Sequence, residues 1–556
     1  MERLKISARH RPATGMLARS VNGWRAEPHE RPAGLLGLAA LTAVLMLLLM
    51  LPGCGSRPQG KVFVLGMDGL TFELLWPWVE EGHLPNFARL LEEGSSTQLV
   101  SAIPPSSPPA WTSAITGVNP GKHGIFGFVQ RIDHSAGEPR LVFYTAADRK
   151  ADPVWTILTE RGRRSVVVNV PCTSPPDSIA GVMISGFPHT SPTDFTFPPD
   201  YASKIPDYRL DIFGQLVSVD GEQAFLDDMN DIMGRRAEAV TTLMEEERWD
   251  LFFVVFTITD RIQHYFWKFM DSEHPLWKAD EAELYGDAIL HTYQSMDRLL
   301  GQVWARLDEG TTLVVMSDHG FGPVYQPING QNFLDAAMPE GNFGAVATDN
   351  FGVKMAFTVK KDTPVNPRTH RTAVETMELL KKRLQELEDP ATGQKVVQKV
   401  FSREELYWGP YKNKAPHLMG LEEEGYLFWN WYQTPDGMIF PSWEDSVFNR
   451  LFSGFHKRNG VLIMTGANVT AGKNSFPAHI SDIAPTILYL LGESIPAEMD
   501  GRVLEPPLAE GYLRDHPVEI RATDTRATQL IEDAADTTAA VNRYIEEQLR
   551  AIGYVQ

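Results

Sequence analysis

Asp260 and His264 in TITDRIQHYFW stand four residues apart, and Asp318 and His319 in LVVMSDHGF are adjacent. A helix starting at the first pair places both side chains on one face, within reach of one metal ion. Adjacent residues at a strand end point in different directions, so Asp318 and His319 serve one ion only from a loop, or are shared by two ions close together. Asp68 in KVFVLGMDG and His456 in SGFHKRNG complete a set of three carboxylates and three imidazoles without a thiolate. That set suits zinc, with manganese or iron as alternatives. Two divalent ions against three aspartates leave about one positive charge to receive an anionic ester, and two ions roughly 4 Å apart stabilise both the attacking and the leaving oxygen of an in-line displacement. The nucleophile must come from elsewhere. AIPPSSPPAWTSAITG offers Ser106, Ser107, Thr112 and Ser113. Pro108 and Pro109 suit the first turn of a helix, which makes Ser107 the expected N-cap, at the positive end of the helix dipole, and the preferred nucleophile.

These residues need a frame. LFFVVF precedes Asp260 and TTLVVM precedes Asp318, and both runs read as buried strands, so both pairs are expected at the carboxyl edge of one sheet. KVFVLGM ends at Asp68, and Gly69 permits the sharp turn that exposes its carboxylate. RSVVVNV, GVMISG and GVLIMTG add strands, and stretches such as AELYGDAILHTYQSMDRLLGQVWARL add helices between them. The fold class is therefore α/β, a mostly parallel sheet with helices on both faces. The pattern breaks over 345–445, where a helix in HRTAVETMELLKKRLQELED and the aromatic YWGPYKNKAP and GYLFWNWY read as a cap inserted beside the site, serving as packing or as a substrate platform. The expected division is a leader over 1–54, core over 60–344 and 446–510, the cap between them, and a helical tail over 511–556 that stops at Gly553.

The chain has 556 residues, 43% of them hydrophobic, and a formal net charge of −20. A surface that acidic repels nucleic acid, so no nucleic-acid binding surface is expected, and a phosphate substrate must be captured by a local positive device such as bound metal. The run over 34–53 is uncharged, follows a basic segment and ends at Cys54. This reads as an export signal, either a lipoprotein signal peptide with Cys54 lipidated or an uncleaved membrane anchor, and it implies an exported, membrane-anchored protein facing the periplasm or cell exterior. Cys172 is the only other cysteine, which excludes a disulfide framework. Taken singly, each candidate has an ordinary structural reading: an Asp ending a strand forms a turn, Ser107 caps a helix, His123 beside Gly124 shapes a turn, and Lys412 and Lys414 are solvated. The argument for chemistry lies in their combination.

The order GMDG, SPPAW with TGVNPGKHGI, DRIQH, SDHG, GFH, then HISDIAPTILYLLG and MDGR, resembles the alkaline phosphatase superfamily, in its type I phosphodiesterase and nucleotide pyrophosphatase branch. The resemblance runs from Lys61 to about Leu504. It implies an alkaline-phosphatase-like fold, Ser107 as nucleophile and bridging oxygen, Asp68, Asp318 and His319 on one metal, and Asp260, His264 and His456 on the other. The eukaryotic-like nucleotide pyrophosphatases carry asparagine and histidine where this chain has Ala110 and Trp111. The PAWTS, DRIQHYFW and YWGPYKNKAPHL segments are more similar to the bacterial and archaeal predicted phosphohydrolase or phosphomutase members.

The expected function is thus a metal-dependent phosphohydrolase, phosphodiesterase-like, with two divalent ions, a phosphate-ester substrate and a covalent seryl phosphate, giving retention at phosphorus through two inversions. One alternative is a phosphotransferase or phosphomutase of the same superfamily, and another is a non-catalytic surface lipoprotein on this scaffold. A sulfatase is disfavoured because SPPAW lacks the arginine of the sulfatase nucleophile segment.

Overall fold

Residues that are apolar on both faces of a strand belong in the middle of a covered sheet, and the chain supplies several such runs. The computed structural model describes residues 60–132, 140–211, 221–338, 345–348, 355–359, 371–429, 437–443 and 452–522. The expected leader with Cys54, and the tail helix over 527–553, lie outside the described residues. Among the described residues no helix is long and apolar enough to cross a membrane.

The central sheet is built from β1 (Lys61–Met67), β2 (Ser95–Val100), β3 (Ser165–Val168), β4 (Gly181–Ile184), β5 (Thr196–Phe197), β6 (Leu251–Phe256), β7 (Thr311–Met316) and a late strand, Asn459–Thr465. β6 and β7 are buried along their whole length, as their unbroken apolar sequences require. From one edge the order is β2, the late strand, β7, β1, β6, β3, β4, β5. β1 runs parallel to both neighbours, β6 and β7, and β3 runs parallel to β6 and β4. The late strand is antiparallel to β2 and β7, and β5 to β4. The sheet is therefore mostly parallel, as expected, with antiparallel strands towards its edges. The chain departs from β1 in both directions, so the carboxyl end of β1 is a topological switch point, where open α/β sheets place their crevice.

Alternation along β1 divides the core in two. Phe63, Leu65 and Met67 pack against one layer, which includes α2 (Gly221–Glu246), α3 (Ile258–Met270) and α4 (Ala288–Trp304). Val62 and Val64 pack against the other, which includes α1 (Ser107–Thr116) and the helix Ile483–Leu490. Helices thus cover both faces.

A second sheet of three strands stands beside the site: β8 (Gly320–Asn329) in the centre, parallel to Gly425–Trp429 on one side and antiparallel to Gly454–Lys457 on the other. Within the segment expected as a cap, strands Ala345–Thr348, Ala356–Val359, Val397–Ser402 and Leu418–Glu422 form an antiparallel sheet. The helix Ala373–Gln385 packs on it through Met377, Leu380 and Leu384. Ala356, Tyr407, Met419 and Leu421 of this segment pack on Ile103 and Phe126 of the core, just ahead of and behind α1. The aromatic strand Gly425–Trp429 is buried throughout, and its Tyr426 and Leu427 line a cavity of about 490 Å³ that also reaches Phe321 and His456.

Candidate active site

Helix α1 delivers the hydroxyl. Ser106, not Ser107, is its N-cap: the backbone of Ser106 is extended (φ −142°, ψ 144°) while its carbonyl already accepts from Ala110 N at 3.0 Å. Ser107 is the first helical residue, one position further in than the proline pattern implies. A cap hydroxyl normally accepts from the second or third helical N–H, but here those positions are Pro108 and Pro109, which have none. The Ser106 hydroxyl is accordingly buried without a partner. Ser107 is 6% exposed, and its Oγ lies 3.3 Å from Asp68 Oδ1 and 3.5 Å from His319 Nε2.

Asp68 follows β1, and Gly69 makes the turn at φ +70°, in the left-handed region that glycine enters freely. Asp318 and His319 follow β7, and one donor atom each from Asp68, Asp318 and His319 lies within 4.8 Å of the others. His319 Nε2 stands 3.4 Å from Asp68 Oδ1 and 3.3 Å from Asp318 Oδ2. Its Nδ1 faces the Gly320 carbonyl at 3.0 Å. Trp111 donates its indole N–H to Asp68 Oδ2 at 3.0 Å. Asp318 is wholly buried; its Oδ1 accepts from Gly69 N at 3.4 Å, and its Oδ2 has no hydrogen-bond donor. Burial, with the charge of Asp260, pushes the Asp68 carboxyl up to about 8 against the opposing indole bond. Burial and the Asp68 charge hold Asp318 well above the usual carboxylate range.

The second group forms on α3 and the short strand Gly454–Lys457. Asp260 and His264 share one face of α3, with His264 Nε2 at 3.3 Å from Asp260 Oδ1. His456 lies in the strand rather than in a loop, opposite Phe321 of β8, and its Nε2 is 3.1 Å from Asp260 Oδ1 and 3.1 Å from His264 Nε2. His264 Nδ1 faces the Gly454 carbonyl at 2.9 Å, and His456 Nδ1 faces the Pro105 carbonyl at 3.0 Å. A carbonyl can only accept, so all three site imidazoles carry their proton on Nδ1 and present Nε2 inwards. Burial works to raise the Asp260 carboxyl, but the two histidines outweigh it and hold Asp260 well below the ordinary range.

Three Nε2 atoms thus converge with three carboxylates, one of which has an orphaned buried oxygen. Imidazole Nε2 atoms gathered with carboxylate oxygens are a common donor set for a divalent ion, and backbone-anchored Nδ1 atoms are the usual support of metal-binding histidines. The residues therefore fit divalent ions. The two groups adjoin: the His319 and His456 rings stack with centroids 3.8 Å apart.

Other contacts position these side chains and have no local signature in the sequence. Thr259 Oγ1 donates to the Asp68 carbonyl at 2.6 Å, and Gln263 Nε2 to the Gly69 carbonyl at 2.9 Å, which ties α3 to the turn after β1. Ahead of α3, Thr257 Oγ1 donates to Asp211 at 2.6 Å, and Asp211 pairs with Arg236 of α2 at 2.6 Å. Phe321 and Phe452 pack edge-on against the His264 ring. His123 is fully buried, with Nε2 3.0 Å from Ser113 Oγ and Nδ1 accepting from Ile125 N; it shapes the turn. Lys412 and Lys414 belong to a 3-10 turn, with Lys414 Nζ over the Tyr411 ring.

A family model described as type I phosphodiesterase / nucleotide pyrophosphatase matches residues 62–450. Among solved structures, murine ectonucleotide pyrophosphatase / phosphodiesterase 5 is 15% identical with a TM-score of 0.50, over 81% of this chain and 100% of that one. Phosphonoacetate hydrolase from Sinorhizobium meliloti 1021, in complex with phosphonoacetate, is 15% identical with a TM-score of 0.51, over 78% and 96%. At such identity these likenesses speak to the fold alone. No curated protein matches the chain.

Proposed function

The chain belongs to the type I phosphodiesterase / nucleotide pyrophosphatase family, metal-dependent hydrolases of phosphate esters, and from that premise we propose that it cleaves a phosphodiester through a seryl phosphate on Ser107, at a centre for two divalent ions. Asp68, Asp318 and His319 would hold one ion and Asp260, His264 and His456 the other, with Ser107 Oγ between Asp68 and His319. Imidazole and carboxylate without thiolate suit zinc. When bound, the ions supply the positive charge that favours the ionised hydroxyl and offsets charge on the phosphoryl oxygens.

The rest falls to the chain's own residues. Ser107 directs its proton at Asp68 Oδ1, 3.3 Å away. Its Oγ forms a bond to phosphorus as the bond from phosphorus to the leaving alcohol oxygen breaks, and that oxygen takes up the proton Ser107 released. A water oxygen then bonds to phosphorus as the bond to Oγ breaks, and the proton the water loses restores the Ser107 hydroxyl. Two inversions give retention. Because Pro108 and Pro109 have no N–H, Ser107 itself supplies the one backbone donor among the first three residues of α1, and that donor would serve the same phosphoryl group. The observation that carries this reading is the approach of Ser107 Oγ to a closed Asp/His group beside a second one.

The leader that ends at Cys54 supports export and membrane attachment, facing the periplasm or cell exterior. The test of function is turnover of bis-p-nitrophenyl phosphate and p-nitrophenyl phosphate by the full-length chain, with metal content measured and Ser107→Ala in parallel. Diester turnover with about two ions per chain, reduced by on the order of a thousandfold or more in the variant, is expected. Unchanged turnover in Ser107→Ala would refute the covalent step. Transfer of the phosphoryl group to an added alcohol in preference to water would identify a phosphotransferase.

A further inference from the structure

We infer that Trp111 is a positioning residue for the metal centre: its indole N–H holds the Asp68 carboxylate so that one oxygen alone faces Ser107 and His319. The inference rests on the reading of these residues as metal ligands. Ser107 and Trp111 are four residues apart on α1, so they lie on one face one turn apart. Both reach the same carboxylate. Ser107 Oγ donates to Oδ1 at 3.3 Å and Trp111 Nε1 to Oδ2 at 3.0 Å. Oδ1 also faces His319 Nε2 at 3.4 Å, whereas Oδ2 is turned towards the indole. The helix that carries the nucleophile thus also fixes the plane of the carboxylate beside it.

The seat of the indole is built into the sheet. Trp111 is wholly buried and meets the Phe253 ring edge-on at 6.2 Å. It lies over Gly66 near the carboxyl end of β1, where an added Cβ would come within 2.6 Å of Trp111 Cη2 and 3.0 Å of Val255 Cγ2. A glycine inside a strand weakens it and marks a close approach, and here the indole is what approaches. The donor is also neutral. It satisfies one carboxylate oxygen without cancelling the charge that a cation requires, as a lysine or arginine at the same place would.

The test is the affinity of the full-length protein for Zn2+, measured by competition with a chromophoric chelator, together with thermal unfolding with and without Zn2+. Trp111→Phe removes the N–H and keeps most of the packing. Zn2+ affinity at one of two sites should fall by about 10- to 100-fold, the usual effect of losing such an outer contact, while the second site is retained. The shift in unfolding temperature on adding Zn2+ should shrink accordingly. Trp155→Phe is the control, because Trp155 meets the same Phe253 ring and makes the same kind of bond, from its indole N–H at 2.8 Å, but to Asp177, which belongs to neither Asp/His group. That variant should lose stability with and without Zn2+ alike and keep its Zn2+ affinity within about twofold. Trp111→Phe affinity within about twofold of wild type, or an equal loss in Trp155→Phe, would overturn the inference. If Trp111→Phe does not fold, replacement of Trp111 by benzothienylalanine, which has the same shape without the N–H, is judged by the same criteria. A wild-type protein that binds no Zn2+, Mn2+ or Fe2+ would instead refute the metal-centre reading itself, before any substitution is compared.

Discussion

Arg236→Met removes one partner of a buried ion pair that stands directly ahead of α3. Arg236 is 1% exposed and meets Asp211 at 2.6 Å. At an effective dielectric near 20, unit charges at that separation attract by about 6 kcal/mol. Part of this is offset by desolvation, and breaking one side of such a pair typically costs about 3–5 kcal/mol. Asp211 keeps the Asn169 amide and the Thr257 hydroxyl, which places the expected loss at about 3 kcal/mol at pH 7.5. The pH dependence is diagnostic. Burial works to raise Asp211, but Arg236, Arg261 and the Thr257 hydroxyl hold it well below the usual range, so in the wild type its contribution is complete above the unfolded pKa near ~3.9. Without Arg236 the nearest charge that holds Asp211 down is gone, burial weighs more, and the folded pKa rises. The folded variant then takes up a proton at a higher pH than wild type, and as pH falls the gap to wild type narrows by up to about 1.4 kcal/mol per pH unit. Urea unfolding at pH 7.5 and pH 5 measures both quantities. Turnover should suffer too, since Thr257 bonds to Asp211 and immediately precedes the helix that carries Asp260 and His264, and a displacement of about 1 Å there can cost on the order of a hundredfold. A loss below about 1 kcal/mol, or a gap that widens towards pH 5, would refute the reasoning.

Other perturbations follow from the same contacts. His123 is lowered to about 3 by burial and by the charge of Arg149. The unfolded state therefore holds one more proton below about pH 6.5, and stability falls on acidification. His123→Gln should make the acid limb of unfolding shallower by about 1.4 kcal/mol per pH unit, and parallel limbs would contradict this. Gly69→Ala forces a side chain into φ +70° with its Cβ 2.9 Å from Phe321 Cδ2. It should cost about 1–2 kcal/mol in unfolding free energy. It should reduce kcat more than a remote substitution of equal cost, because Phe321 backs the His264 ring; an unchanged kcat would count against that coupling.

The parts of the site that were legible in the sequence are those that follow uninterrupted apolar runs. LFFVVF and TTLVVM bury both faces, so they had to be interior strands, and the polar residues after them had to emerge at one edge. Asp68, Ser107, Asp260, His264, Asp318, His319 and His456 do come together there. The second sheet was less legible, because β8 reads GFGPVYQPIN, with two glycines and two prolines where a strand would show β-branched residues. The strand that carries His456 has no clear partner in the sequence for the same reason, although pairing with β8 holds it in place. Arg236 with Asp211 has no local signature, since the partners lie on separate elements and such pairs are recognised only once burial is known. Trp111 could be seen as a departure from relatives, yet its bond to Asp68 depends on the space above Gly66, which is a fact of three dimensions. The shift of the helix cap from Ser107 to Ser106 reflects the usual imprecision of helix ends.

The two Asp/His groups are completed at different points along the chain. Asp68, Ser107, Asp318 and His319 are all present once β7 and its following turn exist, whereas the group of Asp260 and His264 waits for His456. A polypeptide made from its amino end therefore brings the residues of the first group out before residues 345–445 and His456 only after them. The late strand that separates β2 from β7 follows His456 directly, so the sheet beneath the first group closes at the same stage at which the second group gains its last member.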